Sequence, residues 1–189
     1  MNNSYSALVV AGASGSGKST IVKHLVHRFP DTFTLSISYT TRTPREKEID
    51  GRDYHFISQE EFNEKIKKNE FIEYAEYAGN YYGTGIEYST VEKGKILLLE
   101  IEKKGVKKIK ESGLNAAYLY IYASMSVLHA RISQRAIITQ DELSKRLMKA
   151  KEENMYGCSD EFDEVINNED LETTLKEAEE FVKSKFNVK

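Results

Sequence analysis

ALVVAGASGSGKST, residues 7–20, is the stretch of sequence from which the fold follows. Residues 7–11 are small or branched and apolar, and such a run favours a strand buried on both faces. A turn rich in glycine and serine comes next, and a helical pattern then occupies residues 20–28. A strand, a glycine-rich loop and a helix in this order are typical of a parallel sheet covered by helices.

The same alternation continues along the chain and predicts the α/β fold class. Further apolar runs predict buried strands at residues 35–37, 96–99, 117–122 and 165–166. Helical periodicity predicts helices at residues 104–110, 126–135, 142–155 and 171–186. Ser58 with Glu61, and Thr139 with Glu142, have the spacing of capping boxes, which mark the first turns of helices.

Two polar stretches interrupt this alternation. From about residue 40 to residue 89 the chain is polar and rich in tyrosine, with short strand patterns at 54–57 and 71–77. This stretch is interpreted as an insertion into the core domain. A second polar stretch at about 131–146 carries several basic residues and is interpreted as a mobile lid.

Composition limits the classes of function. A chain of 189 residues is long enough for one α/β domain but short for two, and its net charge of −3 argues against a protein that coats nucleic acid. The longest apolar runs are far shorter than the roughly 18 residues that a membrane span needs. Cys158 is the single cysteine and cannot form an internal disulfide. We expect a cytoplasmic protein that binds neither nucleic acid nor membrane.

Residues 12–19 match the pattern GxxxxGK[ST] directly after a predicted strand and at the start of a predicted helix. Backbone N–H groups in such a loop point inward at phosphate oxygens, and the helix N-terminus adds partial positive charge. Lys18 is expected to reach the β- and γ-phosphates of a nucleoside triphosphate, and the Ser19 hydroxyl to hold Mg²⁺. The loop by itself does not indicate which molecule accepts the phosphoryl group.

The string SYTTRTPR at residues 38–45, followed by Glu48, Gly51, Asp53 and Tyr54, closely resembles the guanylate kinase family. The similarity extends over essentially the whole chain. Its further parts are NEFIEY at 69–74, GNYYGT at 79–84, Gly105-Val106, the lid arginines and VINN at 165–168.

The resemblance implies one domain with the three-layer core of the P-loop NTPases, a GMP-binding insertion and a helical lid. The core would comprise about 5–37, 90–128 and 150–188, the insertion about 38–89 and the lid about 129–149. It also implies Mg²⁺-dependent transfer of the γ-phosphoryl of ATP to GMP, and by extension to dGMP, in a monomer or homodimer.

Site residues are implied at the positions that match the family. The ATP site would comprise Gly12, Ala13, Ser14, Gly15, Ser16, Gly17, Lys18, Ser19, Thr20, Arg131 and Asn168. The GMP site would comprise Ser38, Arg42, Arg45, Glu48, Tyr54, Glu73, Tyr82, Thr84 and Glu102. The catalytic set would be Lys18, Arg42, Arg135 and Arg146, and Ser19 and Glu100 would be the Mg²⁺ ligands.

The chemistry of guanine agrees with this set. Guanine offers two neighbouring donors, N1–H and N2–H₂, and the acceptor O6, so its recognition needs a carboxylate beside hydroxyl donors. Glu73 supplies the first, and Ser38 and Thr84 supply the second. Adenine would leave buried partners unpaired, at about 1–3 kcal/mol each. Since the second pKa of a phosphate monoester is about 6, the acceptor is already a dianion and the reaction needs no general base.

The sequence departs from the family pattern at two acidic positions. Glu100 and Glu102 stand where the family normally has aspartate. Each side chain is one methylene longer, and this added length affects how well a Mg²⁺ site fits, because Mg²⁺ demands tight geometry.

Two alternative functions are open. One is a guanylate kinase-like module that binds proteins, although the phosphate loop of such modules is typically degraded. The other is a sugar-phosphate kinase of the same fold, which would not need Glu73, Ser38 and Thr84 to recognise a base.

Overall fold

The protein was analysed as a computed structural model that describes residues 5–77, 79–89, 91, 94–135 and 139–188. Nine strands lie in these ranges: β1 Ala7–Gly12, β2 Phe33–Leu35, β3 Tyr39–Thr40, β4 His55–Phe56, β5 Phe71–Tyr77, β6 Asn80–Gly85, β7 Ile96–Glu100, β8 Ala116–Tyr122 and β9 Glu164–Asn167. The helices described are α1 Lys18–Arg28, α2 Gln59–Lys67, α3 Lys103–Glu111, α4 Met125–Arg135, α5 Gln140–Gly157 and α6 Leu171–Phe186, with a short 3₁₀ helix at Ile86–Ser89.

The core sheet has the strand order β2-β7-β1-β8-β9, and every neighbouring pair is parallel. Alternate residues of the central strand β1 point to opposite faces, as the pleat requires. Leu8 packs in a cluster with Leu25 of α1 and Phe181 of α6, whereas Val9 packs with Ile109 of α3 and Tyr156 of α5. Helices therefore cover both faces, and the predicted three-layer α/β class is confirmed.

A second sheet, with the order β4-β3-β6-β5, is built from the polar stretch of the chain. Its strands β5 and β6 form an antiparallel pair in which Glu73 lies opposite Thr84. Helix α2 packs on the sheet through Phe62, whose ring stacks on that of Phe71 at a centroid distance of 4.5 Å. The strand patterns at 54–57 and 71–77 predicted β4 and β5, but neither β3 nor β6. Glycine at 79, 83 and 85 weakens the strand pattern of β6.

Strand β2 lies two residues earlier than the apolar pattern at 35–37 predicts. Phe33 determines the position of β2, because its ring is 4% exposed and lies 6.4 Å from the ring of Phe29 in the core. Ile37 has left the sheet, and its N–H donates to the Tyr88 hydroxyl at 3.0 Å. Local hydrophobicity could not distinguish these two registers, because Phe29 contacts Phe33 only in the folded chain.

Both capping boxes are present. The Ser58 hydroxyl accepts from the Glu61 N–H at 3.1 Å, and the Glu61 carboxylate accepts from the Ser58 N–H at 2.8 Å. Thr139 and Glu142 cap the start of α5 in the same reciprocal way. In the described ranges, no helix combines the length and the apolar character that crossing a bilayer would require.

Candidate active site

The glycine-rich loop joins β1 to α1 at the carboxyl end of the central strand. Gly17 occupies the N-cap position of α1 with φ of 96°, a left-handed conformation that favours glycine. A Cβ on Gly17 would also collide with the amide nitrogen of Asn168. Conformation and space therefore both require glycine here. The loop consequently turns its backbone toward the cavity at the start of α1.

Lys18 and Ser19, the first residues of α1, begin the cavity wall. The Lys18 amine is largely buried and donates to the carbonyl oxygens of Gly12 at 2.5 Å and Ala13 at 3.2 Å. The Ser19 hydroxyl donates to Oε1 of Glu100 at 2.6 Å, at the end of the neighbouring strand β7. The predicted pair of Mg²⁺ ligands is thus in direct contact.

Arg131 and Asn168 support the loop from behind. The Asn168 amide donates to the Ser16 carbonyl at 2.7 Å, and Arg131 donates to the Asn168 carbonyl at 3.0 Å. Among the described residues, the Ser16 hydroxyl and Oδ1 of Asn168 are buried without a hydrogen-bond partner. The Ser16 hydroxyl is therefore free to donate to a ligand at the loop, and Oδ1 of Asn168 is free to accept from one.

A cluster of cationic and phenolic side chains lines the same cavity as the loop. It consists of Arg42, Arg45, Tyr54 and Tyr82, all of which line the cavity. The Arg42 guanidinium lies 5.4 Å from the centroid of the Tyr54 ring, and the Tyr54 and Tyr82 rings meet edge to face at 6.0 Å. Burial, together with the Glu100 carboxylate, raises the pKa of Tyr54, so its hydroxyl remains a hydrogen-bond donor. Such a set suits phosphate oxygens.

Glu48 lies behind this cluster and does not line the same cavity. Its carboxylate accepts two hydrogen bonds from the Arg42 guanidinium and one from the Arg45 N–H. Burial raises the pKa of the Glu48 carboxyl, but the bonds from Arg42 and Arg45 outweigh it, and the pKa lies below its ordinary value. Glu48 therefore orients Arg42.

Glu73, Ser38 and Thr84 are the residues predicted to recognise the base. Glu73 is 5% exposed, and its Oε1 accepts a hydrogen bond of 2.7 Å from the Thr84 hydroxyl. Burial raises the pKa of Glu73 to about 7, although the bonds from Thr84 oppose the shift. Ser38 and Glu73 line the cavity, whereas Thr84 lies behind Glu73. The Glu73 carboxylate and the Ser38 hydroxyl therefore line the same cavity, while Thr84 holds the carboxylate from behind.

Glu102 occupies the N-cap position of α3 without a capping bond from its side chain, and it lines the cavity. Burial raises the pKa of Glu102 to about 8, because the opposing Lys18 charge is outweighed. Its Oε2 is buried and has no hydrogen-bond partner in the described part of the chain. A ligand hydroxyl or N–H would supply the missing donor.

Two further residues of the predicted site, Arg135 and Arg146, belong to the predicted lid. Arg146 is half-buried on α5 and does not line the cavity. Arg135 ends α4, and its side chain lies outside the described part of the structure, as do residues 136–138.

One cavity therefore joins most of the predicted site. It is lined by Ser14, Gly15, Gly17, Lys18, Ser19, Thr20, Ser38, Arg42, Arg45, Tyr54, Glu73, Ala75, Tyr82, Gly83, Glu100, Ile101, Glu102 and Gly105. The following predicted residues do not line the cavity and lie behind it: Gly12, Ala13, Ser16, Thr84, Arg131 and Asn168. Sequence reasoning did not assign Ala75, Gly83, Ile101 or Gly105 to the site. Gly83 and Gly105 lie in stretches that carry the family resemblance, and this is the signal in the sequence that could have pointed to them.

Comparison with known proteins agrees with this geometry. The family model described as guanylate kinase matches residues 4–185. The guanylate kinase of Prochlorococcus marinus subsp. pastoris is 40% identical over 187 residues, which are 97% of this chain and 100% of that protein. That of Clostridioides difficile is 43% identical over 183 residues, 95% of this chain and 88% of that protein.

A solved structure shows the same fold. The crystal structure of guanylate kinase from Anaplasma phagocytophilum superposes with a TM-score of 0.74 at 27% identity, over 97% of this chain and 87% of that one. The family match, the relatives and the fold all lead to the same assignment. This chain therefore belongs to the guanylate kinase family.

Proposed function

We propose that this protein transfers the γ-phosphoryl group of ATP to GMP, giving ADP and GDP, in the cavity between its two sheets. One observation carries the proposal. A phosphate-binding loop with Lys18, a cluster of arginines and tyrosines, and the buried carboxylate of Glu73 line the same cavity. These are the three recognition elements that a donor triphosphate, an acceptor phosphate and a guanine base require.

GMP binds with its base toward Glu73 and its phosphate toward Arg42, Arg45, Tyr54 and Tyr82. The Glu73 carboxylate, which the Thr84 hydroxyl holds from behind, accepts from N1–H and N2–H₂ of guanine, and the Ser38 hydroxyl donates to its O6. Oε2 of Glu102, which lacks a partner among the described residues, accepts from a hydroxyl or N–H of the nucleoside. Deoxy-GMP retains the base and the phosphate, and it is therefore an acceptor as well.

ATP binds along the loop, residues 12–20. Its phosphates receive the loop N–H groups and the Lys18 amine, which leaves its present carbonyl partners to reach the β- and γ-oxygens. The partly unsatisfied Asn168 amide and the cation of Arg131 border this loop and complete the ATP site.

The residues at the loop also fit Mg²⁺. Ser19 and Glu100 present a hydroxyl and a carboxylate that already touch, and no group of three or more His, Cys, Asp or Glu in the described ranges forms a cation cage. Mg²⁺ typically binds through one or two protein oxygens, waters and substrate phosphates, so this pair suffices. When bound, the ion neutralises charge on the phosphates.

Catalysis in this site is electrostatic. The acceptor phosphate is already deprotonated, so the protein must reduce repulsion between two anions and stabilise the transferring group. Lys18 and Arg42, which both line the cavity, supply positive charge. Arg135 and Arg146 approach the transferring phosphoryl when a lid of about residues 129–149 closes over ATP, and the GMP-binding insertion is about 38–89. The remaining core is about 5–37, 90–128 and 150–188, and closure excludes water.

Both alternatives have less support. A protein-binding module does not need a phosphate loop whose lysine is buried at the cavity, and a sugar-phosphate kinase does not need Glu73 held by Thr84. We further propose that the enzyme acts in the cytoplasm as a monomer or homodimer.

A coupled assay of ADP release tests the activity. ATP and Mg²⁺ are offered with GMP, dGMP, AMP, CMP, UMP or ribose 1,5-bisphosphate. GMP should be strongly preferred, and Lys18→Ala should lower kcat by about a thousandfold. Lys151→Ala, at an exposed position of α5, is the matched control and should retain the wild-type rate. A folded protein that phosphorylates none of these acceptors would contradict the proposal.

A further inference from the structure

Gly105 is buried in the first turn of α3, directly beside the carboxylate of Glu73. Glycine is less favourable than alanine inside a helix, so its presence there calls for a reason. Backbone conformation does not supply one, because Gly105 is helical and is not among the described glycines with positive φ.

Space supplies the reason. A Cβ on Gly105 would lie 2.9 Å from Oε2 of Glu73 and 3.1 Å from Cβ of Ile101, both closer than ordinary van der Waals contact. Ile101 precedes the helix and is 6% exposed, so it has little room to move. The Glu73 side chain would have to give way.

The Glu73 carboxylate is held from two sides. Thr84 donates to Oε1 at 2.7 Å, and the first turn of α3 stands against Oε2. Because Gly105 and Glu73 both line the cavity, the contact lies at the cavity surface. A side chain at 105 would push the carboxylate off Thr84 or toward the space in which a base is bound.

We propose that Gly105 is a positioning residue for base selectivity, because the missing side chain lets the Glu73 carboxylate stand where it accepts from both N1–H and N2–H₂ of guanine. This inference rests on the proposed role of Glu73 in GMP recognition. Gly105 itself donates no side-chain group to the nucleotide. Its contribution is the position of the acceptor.

The test is Gly105→Ala, assayed with GMP and with IMP at saturating ATP. IMP keeps N1–H and O6 of guanine but lacks the N2 amino group, so the ratio of the two kcat/KM values reports the position of the carboxylate. We expect KM for GMP to rise about tenfold and the preference for GMP over IMP to fall by a similar factor. KM for ATP should change less than about twofold, since the phosphate loop is untouched. Lys104→Ala, the exposed neighbour on α3, should leave all these values unchanged.

A double variant separates a specific contact from general damage. Glu73→Asp shortens the side chain by one methylene and relieves the collision, so adding it to Gly105→Ala should recover part of the lost selectivity, or folding if the single variant unfolds. Absence of any recovery, or an unchanged preference in folded Gly105→Ala, would overturn the inference. Glu73→Gln tests the proposed role of Glu73 separately from that of Gly105. If this variant keeps the preference for GMP over IMP, Glu73 does not recognise guanine, and the role proposed for Gly105 fails with it.

Discussion

Arg42 and Glu48 face each other through two parallel hydrogen bonds, with Nη1 of Arg42 at 2.9 Å from Oε2 of Glu48 and Nη2 at 3.0 Å from Oε1. Paired bonds of this kind fix the plane of a guanidinium as well as its position. Since Arg42 lines the cavity and Glu48 does not, the carboxylate serves to aim the arginine.

Glu48→Ala should raise KM for GMP about tenfold while kcat changes much less, because Arg42 keeps its charge but loses its fixed orientation. Steady-state kinetics with varied GMP measure both constants. Glu46→Ala, at an exposed position of the same loop, is the control. An unchanged KM for GMP in Glu48→Ala would show that Arg42 is held by other means.

Glu73 should make stability depend on pH. Burial raises the pKa of this carboxyl from 4.5 to about 7, so the folded state holds the proton more tightly than the unfolded chain. The resulting stability is fully present below about pH 4.5 and is lost as the pH rises through about 7, by up to about 3 kcal/mol.

Glu73→Gln removes this titration while keeping an oxygen that accepts from Thr84. We therefore expect the variant to gain about 1–3 kcal/mol in unfolding free energy, relative to wild type, between pH 5 and pH 8.5. Urea denaturation at the two pH values measures the gain, and the double difference cancels all other titrating groups. If the two proteins differ in unfolding free energy by the same amount at pH 5 and at pH 8.5, the pKa of Glu73 is not raised in the folded protein.

Ser19 and Glu100 should determine the Mg²⁺ concentration that the enzyme needs for half of its maximal rate. Glu100→Gln removes the negative charge that favours the ion, so the Mg²⁺ concentration for half-maximal rate should rise about tenfold. Titration of the rate with Mg²⁺ at fixed ATP measures this value, and Glu111→Gln on the exposed part of α3 serves as control. If both variants match the wild type, the ion is held by groups other than Glu100.

Asn154 should contribute to stability by attaching α5 to the core sheet. Its buried amide donates to the Ala123 carbonyl at 2.8 Å and accepts from the Tyr120 hydroxyl at 3.2 Å. Asn154→Ala should lower the unfolding free energy by about 2 kcal/mol, since two buried bonds are lost. Glu152→Ala, at an exposed position of the same helix, should change it by less than about 0.5 kcal/mol. Equal melting of the two variants would contradict this role.

Local patterns in the sequence determined much of this protein. The run at 7–11, the motif at 12–19 and the helical period after it predict β1, the loop and α1, because burial on both faces and phosphate binding each demand particular residue types. The capping boxes at Ser58 and Thr139 were equally readable, because their partners are three residues away.

Only the tertiary structure decided several contacts that local sequence patterns do not specify. It set β2 at Phe33, because Phe29 and the core hold that ring; it placed Glu48 behind Arg42; and it brought Gly105 against Glu73. Such contacts join residues whose separation along the chain carries no periodic signal. They depend on differences of about a few tenths of an ångström in the distances between packed atoms, and residue type alone does not specify these distances.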